Sequence, residues 1–261
     1  IQATYFGVLV AKLTYLMRPS PRPCSPRGQT GCEQMQPWIT VDEKETPDGI
    51  LQLIRRGTKD FIIKIGDQIL MHSHLNLTEK ALATSAVALL DQKKGAHVLI
   101  SGLGMAYTLR AALDVLPSAC TVTVAELNPI VVEWCQGELG RLTGYPLQDK
   151  RVRVVVGDVA EVIRDAASGA HTKYDAIILD LYEGTTQANI DDSHMFYGLG
   201  ALKRTRDALT DRGVFAVWTE GVDPGFERRL GRAGFRMEQT NPGKGGPRHI
   251  VYLARPKGNK K

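Results

Sequence analysis

A strand that runs into a glycine turn and reopens as a helix constrains this chain more than any other feature. His97-Val-Leu-Ile100 is too short for a buried helix and suits a strand covered on both faces. Ser101-Gly102-Leu103-Gly104 then turns the chain, and Ala106 to Leu116 carries helical spacing. Such a turn brings backbone N–H groups and a helix N-terminus to one point, and glycine lets a ligand approach the backbone closely. Gly-x-Gly spacing alone says little, and the second strand gives it weight. That apolar run, Thr121 to Ala125, ends in Glu126, 24 residues after Gly102. A nucleoside-binding α/β fold places there the carboxylate that accepts from ribose hydroxyls.

The rest of the chain falls in around that stretch. Residues 1–37 hold five prolines from position 19 onward and are expected to be a poorly ordered extension. Residues 38–75 read as a small antiparallel β-unit, with strands at Ile50–Ile54, Phe61–Ile65 and Gln68–Met71 and a hairpin at Gly66-Asp67. Asn76 and Glu79 have capping-box spacing at the start of a helix running to about Leu90. Asn128-Pro129 supplies an N-cap and a first-turn proline for a helix reaching about Leu142. Further strands are predicted at Val152–Val156, Tyr174–Leu179, Gly213–Trp218, Phe235–Gln239 and Ile250–Ala254, with helices over 159–167, 195–209 and 224–233. The predicted fold is therefore α/β: a Rossmann-like, doubly wound, mainly parallel seven-stranded sheet over 76–255, with a small N-terminal antiparallel β-unit. A basic tail, 256–261, ends the chain.

The net charge of +5 invites a nucleic-acid reading until it is located. Residues 1–37 carry +3 and residues 255–261 carry +4, which leaves the body between them at −2. The basicity sits in the tails, so neither a basic binding face on the folded part nor a nucleic-acid partner is expected. Cys24, Cys32, Cys120 and Cys135 show no metal-ligand spacing. They are read as reduced thiols of a cytoplasmic protein without a metal site. His72 and His74 are read as surface residues. Tyr5 to Met17 is apolar but short and broken by Lys12, so no membrane partner is expected.

Successive strand ends carry Gly102/Gly104, Glu126, Asp158 and Asp180. One such acid is ordinarily a helix cap, but a glycine turn or a carboxylate at four strand ends in turn is more than capping requires. Over roughly 48–254 the sequence resembles the spermidine synthase (polyamine aminopropyltransferase) family, within the S-adenosylmethionine-dependent class I methyltransferase folds. The likeness rests on the β-unit, the glycine loop, Ala125-Glu-Leu-Asn-Pro129, Val156-Gly-Asp158 and Tyr174-Asp-Ala-Ile-Ile-Leu-Asp180. It implies Gly102, Gly104, Glu126 and Asp158 as nucleoside-binding residues, with Glu126 on the ribose and Asp158 on the adenine amino group. It implies Asp180 as the carboxylate that orients and helps deprotonate the attacking amine, with Tyr182 and Glu183 beside it and Glu79 as a gate. Glu79 is equally explained as a capping-box partner.

The departures fall in the amine-binding half. Met105 stands where the family's glycine loop ends in an aspartate for the donor amine. Glu183 stands where a second aspartate comes three residues after the first, and Thr78 replaces a tyrosine ahead of Glu79. Between Lys173 and Lys203, 29 residues contain no Lys or Arg but include Asp175, Asp180, Glu183, Asp191 and Asp192. Such a segment draws in a cation and repels phosphate. The leading expectation is a transferase moving an aminopropyl group from decarboxylated S-adenosylmethionine to a small cationic amine. The donor is a co-substrate, no cofactor is tightly bound, and the chain forms a homodimer. Methyl transfer from S-adenosylmethionine is the alternative, and a non-catalytic nucleoside-binding protein a second one.

Overall fold

The computed structural model describes residues 36–91, 94–181, 191–241 and 249–258. The predicted extension, most of it before residue 36, and the end of the basic tail lie outside the described residues. The β-unit has four strands: β1 (Ile39–Thr46), β2 (Gly49–Arg56), β3 (Asp60–Ile65) and β4 (Gln68–His72), paired antiparallel in that order. Helix α1 (Leu77–Ala88) leads into β5 (His97–Ser101), α2 (Tyr107–Val115), β6 (Thr121–Glu126) and α3 (Pro129–Gln136). Next come α4 (Gly140–Thr143), β7 (Val152–Val156), α5 (Val159–Ala167), β8 (Tyr174–Leu179) and α6 (Leu199–Ala208). Strand β9 (Leu209–Thr219), α7 (Pro224–Arg232), β10 (Phe235–Thr240) and β11 (Ile250–Pro256) complete the chain.

The seven strands of the large sheet lie in the order β10-β11-β9-β8-β5-β6-β7, with β11 antiparallel to both its neighbours and the five from β9 to β7 parallel. The predicted fold class is the observed one. Alternate residues of the central strands feed two cores. Val98, Ile100, Ala176, Ile178, Val214 and Ala216 pack with α1, α2 and α3. Leu99, Ile177, Leu179, Phe215 and Val217 pack on the other face with α5, α6 and α7. Burial on both faces is why these strands read as unbroken apolar runs. The chain winds outward from β5 through β6 to β7, then returns to β8. The carboxyl ends of β5 and β8 therefore flank the point where strand order reverses, the usual ligand position in such sheets.

Several local expectations need correction. Asn76 precedes α1, but its side chain makes no cap bond; its amide donates to the Ser73 carbonyl at 2.9 Å. Asn128 likewise offers no side-chain cap to α3; its backbone N–H donates to Glu126 Oε1 at 2.9 Å. The helix expected to reach Leu142 breaks after Gln136, and a short helix resumes at Gly140, packed close against the Tyr145 ring. Helix α6 starts four residues later than expected, at Leu199, and β9 begins at Leu209.

The β-unit shares the first core through Leu51, Leu53, Phe61 and Ile63. It is pinned to α3 by the buried Trp134, whose indole N–H donates to Asp42 Oδ2 at 2.8 Å. Arg55 pairs with Glu138 at 2.8 Å beside it. An Asp42→Ala variant leaves that indole N–H without its charged acceptor, and is expected to lose about 1–3 kcal/mol of unfolding free energy. Asp42→Asn should recover most of it in chemical denaturation. Equal stability of wild type and Asp42→Ala would show that the contact does not fasten the two sheets.

Candidate active site

The glycine loop owes its shape to three left-handed residues, Gly102 (φ +82°), Gly104 (φ +51°) and Ala106 (φ +62°). A Cβ on Gly102 would lie 2.5 Å from the Asp180 carbonyl oxygen, so only glycine lets β5 and β8 close up there. A Cβ on Gly104 would lie 2.8 Å from the terminal methyl of Met71, which reaches over from β4. The Met71 sulfur accepts the Met105 N–H at 3.1 Å, and the Met105 side chain itself is wholly buried.

Glu126 is buried at the end of β6 and tied to this loop, accepting from the Leu103 N–H at 2.8 Å and the Asn128 N–H at 2.9 Å. Burial raises its pKa, and the backbone donors pull it back toward the ionised form. The N–H groups of Leu127 and Gly104 also face this carboxylate and favour its ionised form. Asp158 is the N-cap of α5, accepting from the Ala160 N–H at 2.8 Å.

Asp180 ends β8 against α2, where the Thr108 hydroxyl donates to its Oδ2. Burial pushes its carboxyl up to about 6 despite that hydrogen bond. Glu79, in the first turn of α1, is pushed up to about 7, first by burial and then by the negative charge of Asp180. Glu79 is thus directed to the site, and with Asn76 engaged elsewhere there is no capping box for it to complete. Asp180, Glu79 and the glycine loop come together at the reversal of strand order. Tyr182 and Glu183 lie outside the described residues. His72 is half-buried against Trp38, and the exposed His74 pairs with Asp60. Among the described residues no cluster of His, Cys, Asp and Glu could hold a metal, and no helix is long and apolar enough to cross a membrane.

Sequence reasoning passed over Thr108, Tyr107 and Met71. Thr108 could have been suspected from its place in the first turn of the helix that the glycine loop opens. Tyr107, whose hydroxyl donates to the Ser73 carbonyl at 2.9 Å, and Met71 act across segments far apart in sequence, and no local pattern marks them.

A profile of the spermine/spermidine synthase domain matches residues 80–223, more than half of the chain. The chain belongs to that family. The match spans the glycine loop, Glu126, Asp158 and Asp180 and begins one residue after Glu79. The polyamine aminopropyltransferase of Korarchaeum cryptofilum (strain OPF8) is 29% identical over 134 residues, covering 51% of this chain and 38% of that protein. The one from Sulfolobus acidocaldarius is 27% identical over 130 residues, covering 50% and 40%. The chain therefore spans about two-fifths of the length of these relatives. Among solved structures, spermidine synthase from Thermotoga maritima superposes with a TM-score of 0.61 at 19% identity, over 84% of this chain and 72% of that one. Human methyltransferase-like protein 13 in complex with SAH gives 0.55 at 20% identity, over 70% and 84%. Both likenesses concern the fold.

The raised carboxyls set a pH dependence of stability. A carboxyl whose folded pKa exceeds its unfolded one binds more protons in the folded state, so stability falls as pH rises from about 4 to about 7. Asp180→Asn removes one of the two groups. The variant is expected to gain on wild type across that window, reaching roughly 1–3 kcal/mol at pH 8, as urea unfolding at several pH values would show. A wild type that instead becomes more stable through this window relative to Asp180→Asn would contradict the burial of Asp180.

Proposed function

We propose that this chain transfers an aminopropyl group from decarboxylated S-adenosylmethionine to a small cationic amine. The observation that carries the reading is the pairing of two carboxyls with raised pKa, Asp180 and Glu79, beside a glycine loop that holds a buried Glu126. Family membership supports the same chemistry. In this reading the ribose hydroxyls meet Glu126, the nucleoside lies along Gly102–Gly104, and Asp158 adds a contact to the adenine amino group from the cap of α5. The acceptor amine's lone pair attacks the carbon next to the sulfonium, the C–S bond breaks, and methylthioadenosine leaves as a neutral thioether. No oxyanion develops. What the reaction requires is an amine that is unprotonated and in line. Groups that titrate near 6 and 7 suit proton acceptance from an ammonium near neutrality, and when ionised they hold the cationic substrate in place.

One observation favours a second reading, methyl transfer. Met105 stands where an acid would hold the donor's amine, and its wholly buried side chain brings no charge to the donor's tail. The two donors differ in a way that decides between these readings. Decarboxylated S-adenosylmethionine ends in an amine and favours acidic company, whereas S-adenosylmethionine also carries a carboxylate that wants N–H donors or a cation. Calorimetric titration of both into the purified protein is expected to show at least about tenfold tighter binding of the decarboxylated form, about 1.4 kcal/mol. Equal affinity, or preference for the carboxylated donor, would put methyl transfer first. Glu126→Gln should weaken methylthioadenosine binding in the same experiment by about 1.5–3 kcal/mol. Unchanged affinity there would move the ribose away from Glu126.

A further inference from the structure

The first turn of α1 has no side-chain cap at Asn76, yet it carries Glu79. This turn also receives a contact from the far end of the chain. Thr78 Oγ1 lies 2.6 Å from His249 Nδ1, at the entrance to β11. Burial lowers the His249 pKa, with Glu220 partly opposing, so near neutrality the ring is uncharged and shares one hydrogen bond with the Thr78 hydroxyl through Nδ1. The ring also packs on Trp218 near the end of β9, with centroids 5.1 Å apart. The Trp218 indole N–H in turn donates to the Leu181 carbonyl at 3.1 Å, one residue past Asp180. A continuous chain of contacts therefore runs from the neighbour of Glu79 to the neighbour of Asp180.

We infer that Thr78, His249 and Trp218 form a strut that sets the spacing of Glu79 and Asp180, with His249 as the positioning residue. The inference deepens the reading of those two carboxyls as the amine-holding pair and rests on it. The buried residues of α1, from Leu82 onward, share a core with Ala176 and Ile178 of β8. The first turn, with Thr78 and Glu79, lies ahead of that packing, and the strut is the hold on it. Its consequence is electrostatic. Loosening the first turn of α1 lets Glu79 move toward water and away from the Asp180 charge, and both changes make its ionisation easier. Lys80 and Tyr107 also face Glu79 and stay in place in all the variants below.

The test is a carbon-13 NMR titration of the Glu79 carboxyl in the full chain, assigned with Glu79→Gln. Thr78→Val and His249→Leu should each lower its midpoint by about one pH unit. His249→Asn, which keeps an acceptor near the position of Nδ1, should restore it. Thr78→Val alters only a hydroxyl in a half-exposed helical turn and so decides the matter even if His249→Leu fails to fold. An unchanged midpoint in Thr78→Val overturns the inference, even where the melting temperature falls, since a merely structural strut would affect the second and not the first. The titration needs no substrate. Failure of the wild type to transfer an aminopropyl group would sink the functional reading while leaving this measurement to judge the strut.

Discussion

The site depends on a close approach between two pieces of backbone. Gly102 at the end of β5 lies so near the Asp180 carbonyl at the end of β8 that a side chain between them would have nowhere to go. The Asp180 N–H donates to the Ser101 carbonyl at 3.0 Å, so the parallel ladder continues to the last residue before the loop. Gly102 donates to the Ala125 carbonyl at 2.9 Å on its other side. Three strand ends are thereby brought level, and the acids at two of them, Glu126 and Asp180, flank one loop. Without glycine at 102 the strands would splay, and the carboxylates would no longer address a common space.

Once the strand ends are level, the loop is shaped by what it must satisfy. Glu126 receives two backbone N–H groups, which fixes the turn from one side. Met71 presses on Gly104 from the other and takes the Met105 N–H. This second contact makes the β-unit part of the site's wall, and the Trp134–Asp42 and Arg55–Glu138 bonds keep it in that position. The small sheet thus has a physical task that its size alone does not suggest. It closes the loop that the large sheet leaves open.

What the sequence revealed and what it hid depend on the range of the interactions. Val98–Ile100, Val122–Ala125 and Ile177–Leu179 are buried on both faces, and a strand so placed shows itself as a plain apolar run. Glu126 and Asp180 were legible for the same reason, as the polar residues that end such runs. Strand β1 was not, because Ile39–Thr46 lies largely exposed at a sheet edge and is mostly polar. Its pairing with β2 is decided by backbone bonds that carry no sequence signature. Asn76 and Asn128 are the instructive failures. Each stands where a cap belongs, yet the Asn76 amide turns back to the Ser73 carbonyl, and the Asn128 backbone N–H serves Glu126 while its side chain makes no cap bond. The 171-residue separation of Thr78 and His249 puts their contact beyond any local pattern.

The electrostatics of the site runs against the stability of the fold. Burial opposes the ionisation of both carboxyls, the Asp180 charge further opposes that of Glu79, and Thr108 gives Asp180 a hydrogen bond in partial compensation. Elsewhere the chain treats its acids differently. Asp149 is gripped by Arg151 and driven down to about 2, and Asp223 caps α7 while lying 3.9 Å from Arg229. Among the described residues no arginine or lysine salt bridge is made by either Glu79 or Asp180, although Lys80 comes directly after the first in sequence and its ammonium lies 5.6 Å from the Tyr107 ring centroid. A fold selected for stability alone would supply a counterion at such a place. In the function proposed above the incoming substrate carries the positive charge, so that position is left for it, and the energy withheld from folding would be recovered on binding.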